Sequence, residues 1–85
     1  MNDQELEALA AAVTPQQVRQ AADAILARQR PPGQRTVPLH YVVDALVDRA
    51  DTHDQEERWR LWALLREAVI ATVQAAPDMS YVPST

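Results

Sequence analysis

The stretch Asp54–Ala76, DQEERWRLWALLREAVIATVQAA, decides the fold. It is the longest uninterrupted helical pattern in the chain and holds both tryptophans. At about 100° per residue, Trp62, Leu65, Val69, Val73 and Ala76 fall in one narrow stripe. Leu61, Leu64, Ala68 and Thr72 widen it on one side, and Trp59 and Ile70 on the other. Glu56, Arg60, Glu67 and Gln74 form a thin polar strip opposite. A helix on the outside of a globular domain keeps a broad polar face; this one does not, least of all over 68–76. It is therefore expected to be the central helix of a bundle, or to carry two apolar faces, one for its own chain and one for a partner. Arg66 lies inside the apolar arc, one turn after Trp62. It reads as an arginine lying along the Trp rings with its head in water. The sharper alternative is an interface anchor, since Trp and Arg are enriched at binding hot spots.

Three helices precede this stretch. Asn2 to Val13 reads as a short one, with Asp3, Glu5 and Glu7 near its N-terminus, where the helix dipole favours anions. Leu6, Leu9 and Val13 give it a weak apolar edge. An alanine-rich segment this short is barely stable alone, so it must dock or fray. Next, Thr14-Pro15-Gln16-Gln17 carries a capping box: Thr14 as cap, Pro15 at the first helical position and Gln17 reaching back. The helix it opens runs from Pro15 to about Gln29, with Val18, Ala21, Ala22, Ile25 and Leu26 facing inward. The third helix opens at Thr36-Val37-Pro38, with Thr36 or Val37 as cap, and runs over 38–51. Leu39, Val42, Val43, Leu46, Val47 and Ala50 follow the i, i+3, i+4, i+7 pattern. Its outer face carries His40, Asp44, Asp48 and Asp51. Asp51, Thr52 and Asp54 are all candidate caps for the long helix, Asp54 with Glu57 in a capping box.

The predicted fold is all-α: a small bundle of three main helices, 15–29, 38–51 and 54–76, plus the short N-terminal one. Residues 1–76 make a single helical domain. Pro77 stops the last helix, and 77–85 form an extended C-terminal tail. Met79, Tyr81 and Val82 would lie back on the bundle, add a short strand, or dock on a partner.

Composition narrows the function. At 85 residues the chain is one small domain, marginal by itself, for which oligomerisation is a common remedy. An apolar fraction of 47% is that of a folded protein. A single glycine argues against tight β turns and phosphate-cradling loops. Without cysteine there is no disulfide framework, thiolate metal site or Cys nucleophile, which fits a reducing cytoplasm. No apolar run is long enough to span a membrane, and no basic-then-apolar start suggests a signal peptide. All eight basic residues are arginine, the usage of a GC-rich bacterial or phage genome. The net charge of −4 repels polyanions at long range.

Chemistry has one candidate cluster: His40 with Asp44, Asp48, Asp51, His53 and Asp54. His40 and Asp44 share a helix face at a spacing that can hold a metal ion. His53-Asp54 resembles the paired His-Asp of metal-dependent phosphohydrolases, but the chain lacks the helices such an enzyme needs. A solvated helix face is the preferred reading, so no metal, cofactor or catalytic residue is expected. The proline-rich connector around Arg28, Arg30 and Arg35 reads as a solvated linker, with an anion-contacting loop as the alternative. In spacing, residues 16–51 with a terminal strand resemble the skeleton of winged-helix DNA-binding domains. That resemblance implies that the helix from Asp54 enters a DNA groove, yet it begins Asp54-Gln55-Glu56-Glu57, which repels phosphate. A related alternative is an acidic, phage-type inhibitor that occupies a nucleic-acid site on an enzyme.

The reading carried forward is a non-enzymatic protein-interaction module, self-associating as a homodimer. Its partner-binding residues are Trp59, Trp62, Arg66, Ile70 and Tyr81. The competing arrangement is a monomer in which Tyr81 and Met79 lie over the tryptophans.

Overall fold

The structure, a computed structural model, describes residues 2–28, 35–50, 52 and 54–83. Four helices form: α1 (Asp3–Ala11), α2 (Pro15–Arg28), α3 (Leu39–Arg49) and α4 (Gln55–Ala75). A single 3-10 turn, Pro77–Met79, follows. Among the described residues there is no strand, so the terminal strand considered for the tail does not form there. Nor is any helix long and apolar enough to cross a membrane.

Local chemistry sets the helix starts. Asn2 caps α1 by accepting the Glu5 N–H at 2.8 Å. Thr14 and Gln17 close the expected capping box: the Gln17 N–H donates to Thr14 Oγ1 at 3.2 Å, and the Thr14 N–H donates to Gln17 Oε1 at 3.0 Å. One expectation needs correction. The cap of α3 is neither Thr36 nor Val37 but Pro38, whose ψ of 138° is non-helical and whose ring offers no hydrogen-bonding group. Val37 is fully buried instead. At α4 the cap is Asp54, as expected, its carboxylate accepting the N–H of Glu56 at 2.8 Å. Thr52 turns into the core, where its Oγ1 finds no hydrogen-bond partner among the described residues. Asp51, His53 and the connector residues 29–34 lie outside the described residues.

The core is one cluster to which every element contributes. α4 is its centre, packing against α1, α2, α3 and the 3-10 turn. Its buried line is Leu61, Leu65 and Val69, at strict i, i+4 spacing; Leu65 and Val69 belong to the expected stripe, and Leu61 to its widened side. Trp62, Ile70 and Val73 are half-buried flanks, and Trp59 is 67% exposed. The thin polar strip Glu56, Arg60, Glu67 and Gln74 faces water as expected. Within the helix, Thr72 satisfies its hydroxyl on the Ala68 carbonyl at 2.8 Å, which lets a threonine sit among apolar neighbours. α3 buries Leu39, Val42, Val43, Leu46 and Val47. α2 brings Val18, Ala21 and Ala22, and small side chains there permit a close approach. α1 docks on α4 through Leu6 and Ala10, while Leu9 stays 38% exposed. Arg60 reinforces that contact from the rim, reaching Asp3 at 3.0 Å.

The tail docks on its own bundle. Met79 and Val82 are fully buried, and the Val37 N–H donates to the Tyr81 carbonyl at 2.8 Å. Two polar rungs fix it to one face of α2. Arg19 pairs with Asp78 at 2.7 Å, and one helical turn on, the Tyr81 hydroxyl donates to Asp23 at 3.0 Å. The electrostatics agree on both sides of the first rung. The hydrogen bond with Asp78 raises the Arg19 pKa, and the same bond holds the Asp78 carboxyl below the usual carboxylate range. Burial pushes the Tyr81 phenol above its ordinary value, and the bond to Asp23 adds to the shift.

Candidate functional site

α3 and the first turns of α4 diverge enough to leave a groove of about 410 Å³. Trp59, Trp62 and Val47 give it apolar walls, and the His40 ring closes one end. His40 is held against Tyr41, with ring centroids 4.4 Å apart. Gln55, Asp44 and Arg58 supply the polar groups. The arrangement follows from two periodicities. Asp44 and His40 are one turn apart on the outer face of α3, while Trp59 and Trp62 flank the buried line of α4 on the side that faces them.

Two side-chain bonds cross between these helices. The Trp62 indole Nε1–H donates to Asp44 Oδ1 at 2.7 Å. Arg58 donates to Asp48 Oδ1 at the same distance. Trp62 is thus fixed by a charge-assisted bond, and its half-burial is a docked position. Trp59, a single turn earlier, has no such tether among the described residues and is 67% exposed. A second hollow of about 390 Å³ lies on the other side of Asp44, between α2 and α3, bordered by Ile25, Arg28 and the 49%-exposed Tyr41.

The five residues expected to bind a partner are not all gathered here. Trp59 and Trp62 share the groove. Arg66 lies one turn beyond Trp62, with its guanidinium on the adjacent Glu67 at 3.3 Å, and Ile70 packs on the core one turn further. Neither of them lines the groove. Tyr81 is committed to α2 past the far end of α4 and covers neither tryptophan. The sequence places Asp44 and His40 on a solvated helix face, with metal binding as the alternative. In the structure Asp44 holds a tryptophan and Asp48 an arginine. Among the described residues no group of three or more His, Asp or Glu side chains comes close enough to hold a metal ion. The Asp44–Trp62 bond joins residues 18 apart in the chain, which no local pattern encodes.

Fold and groove together define a small all-α bundle with an aromatic cleft between its third and fourth helices. Compared with known proteins, the chain matches no family model, no curated protein and no solved structure.

Proposed function

We propose that this chain is a non-enzymatic protein-interaction module whose docking surface is the α3/α4 groove. One observation carries the reading: Trp59 stands 67% exposed at the rim of a preformed aromatic groove. A large ring in water beside a cleft is what a binding hot spot looks like before its partner arrives. The polar groups support binding over catalysis, because Asp44 and Arg58 each hold a neighbouring side chain and no serine lines the groove. Protein is favoured over nucleic acid as the ligand because the first turn of α4 carries Glu56 and Glu57. Self-association would use the same Trp59. It draws less support from Trp62 and Ile70, which the bundle itself half covers.

Photo-cross-linking in the native host tests the reading. A benzoylphenylalanine at Gln55, in the groove, is expected to give discrete protein adducts that Trp59→Ala abolishes. The same probe at Gln74, on the polar strip of α4, is expected to give none. An adduct of twice the 9.5 kDa chain would make the partner a second copy. No adduct from Gln55, or equal adducts from both positions, would contradict the reading.

A further inference from the structure

The groove carries an unbalanced charge. Arg58, the only arginine lining it among the described residues, is paired with Asp48 at 2.7 Å. Asp44 accepts the neutral Trp62 indole N–H and has no cationic partner among the described residues. Its carboxylate keeps further lone pairs for donors. An occupant that reaches Asp44 strips water from the side of that carboxylate facing the groove. An apolar side chain would leave the charge dehydrated, and an anion would add repulsion to the same cost. A cation restores what the water supplied. The walls suit the rest of a basic side chain: two indoles accept methylene stems and attract a cationic head. At long range, a net charge of −4 draws basic partners in.

We propose that the groove receives an arginine side chain from a basic segment of a partner protein, its guanidinium on Asp44 and its stem against Trp59 and Trp62. Arginine is preferred to lysine because its planar head both stacks on indole and presents parallel donors to a carboxylate. The inference rests on the docking reading above and specifies its ligand chemistry.

The test follows the two indole N–H resonances of isotope-labelled protein by NMR. One titrant is a pool of short capped peptides with arginine fixed at the centre and randomised flanks. The other is the same pool with citrulline, which keeps the shape and loses the charge. Expected is movement of the Trp62 and Trp59 indole peaks with the arginine pool, about tenfold weaker apparent affinity with citrulline, and loss of that preference in Asp44→Asn. The asparagine retains an acceptor for the Trp62 N–H, so in the free variant a single sharp Trp62 peak, shifted by the lost charge, beside an unchanged Trp59 peak reports an intact groove. Equal binding of both pools, or a preference that survives Asp44→Asn, overturns the cation while leaving the groove a docking site. Silence with both pools alongside adducts from Gln55 also overturns the cation alone. Silence with no adducts overturns both readings. Indole shifts that depend on protein concentration before any peptide is added would assign the groove to a second copy, and overturn the proposal.

Discussion

The two ends of α4 meet the same problem differently. After its polar first turn the helix carries, from Trp59 onward, more apolar surface than α2 or α3 alone can cover. At the C-terminal end the chain turns back after Pro77, sets Met79 and Val82 into the core, and ties the return to α2 with two polar rungs. At the N-terminal end α1 covers one side, and among the described residues no segment lies over Trp59. Asp44 holds Trp62 half in, and Trp59 stays in water. A small domain can hide its excess apolar surface with its own tail or leave it in water, and the described residues of this one show both. The contrast makes Trp59 more than a stray exposed residue, since the chain shows at its other end how such surface is closed.

Substitutions at the two ends should therefore behave in opposite ways. The largest effect is expected from the closed end. Met79→Ala removes a fully buried side chain and should cost about 3 kcal/mol, lowering the melting temperature by more than about 10 °C in a chain this short. A thermal melt with little change would mean that the tail is not part of the core. Next comes the capping box at the start of α2, which belongs to neither end and calibrates them. Thr14→Ala loses the bond from the Gln17 N–H to the threonine hydroxyl, keeps the backbone N–H that donates to Gln17, and should destabilise by about 1 kcal/mol in urea titration.

A smaller effect is expected from the Arg19–Asp78 rung, and it depends on pH. Asp78 has a lowered pKa in the folded state, so its contribution is present above the ordinary carboxylate range. That contribution is lost as pH falls through the lowered folded value. Melting temperatures of the native chain and of Asp78→Asn should differ slightly at neutral pH and converge in strong acid. A gap that persisted at the lowest pH would assign the role of Asp78 to shape and not to charge. Both groups are solvent-exposed, so salt should narrow the gap as well. The smallest stability effect is expected at the open end. Trp59→Glu should stay within about 0.5 kcal/mol of the native chain, while removing the adducts formed from Gln55. A large loss of stability would show that Trp59 is part of the core.

Legibility in the sequence followed the same division. The helices, the α2 capping box and the inward face of α3 were readable because each rests on spacing within one element. The all-round apolar character of α4 pointed correctly to a central helix. The covered part of the arc was legible only in part: Leu61 and Leu65 are buried and Trp59 is exposed, but Val69 shares the buried line while Ala68 and Thr72 stay half-buried. The buried line runs through Leu61, Leu65 and Val69, beside the tryptophans, because packing of α1 and α3 sets the rotation of α4. Tyr81 was grouped with the tryptophans on residue type alone, and its tie to Asp23 depends on a chain reversal that Pro77 announces without directing. The pairing of Asp44 with Trp62 was hidden for the same reason. An aspartate on a polar face reads as solvated until the neighbouring helix puts a donor beside it.

One measurement bears most directly on the open end. With Trp62 replaced by Phe, Trp59 is the sole indole, and acrylamide quenching of its fluorescence reports how much of it meets water. Expected is strong quenching, in line with its 67% exposure, with no dependence on protein concentration in the micromolar range. A quenching constant as low as that of a buried indole would contradict an open groove. Shielding at every concentration would mean that the chain covers Trp59 itself, and shielding that grows with concentration would mean that a second copy does.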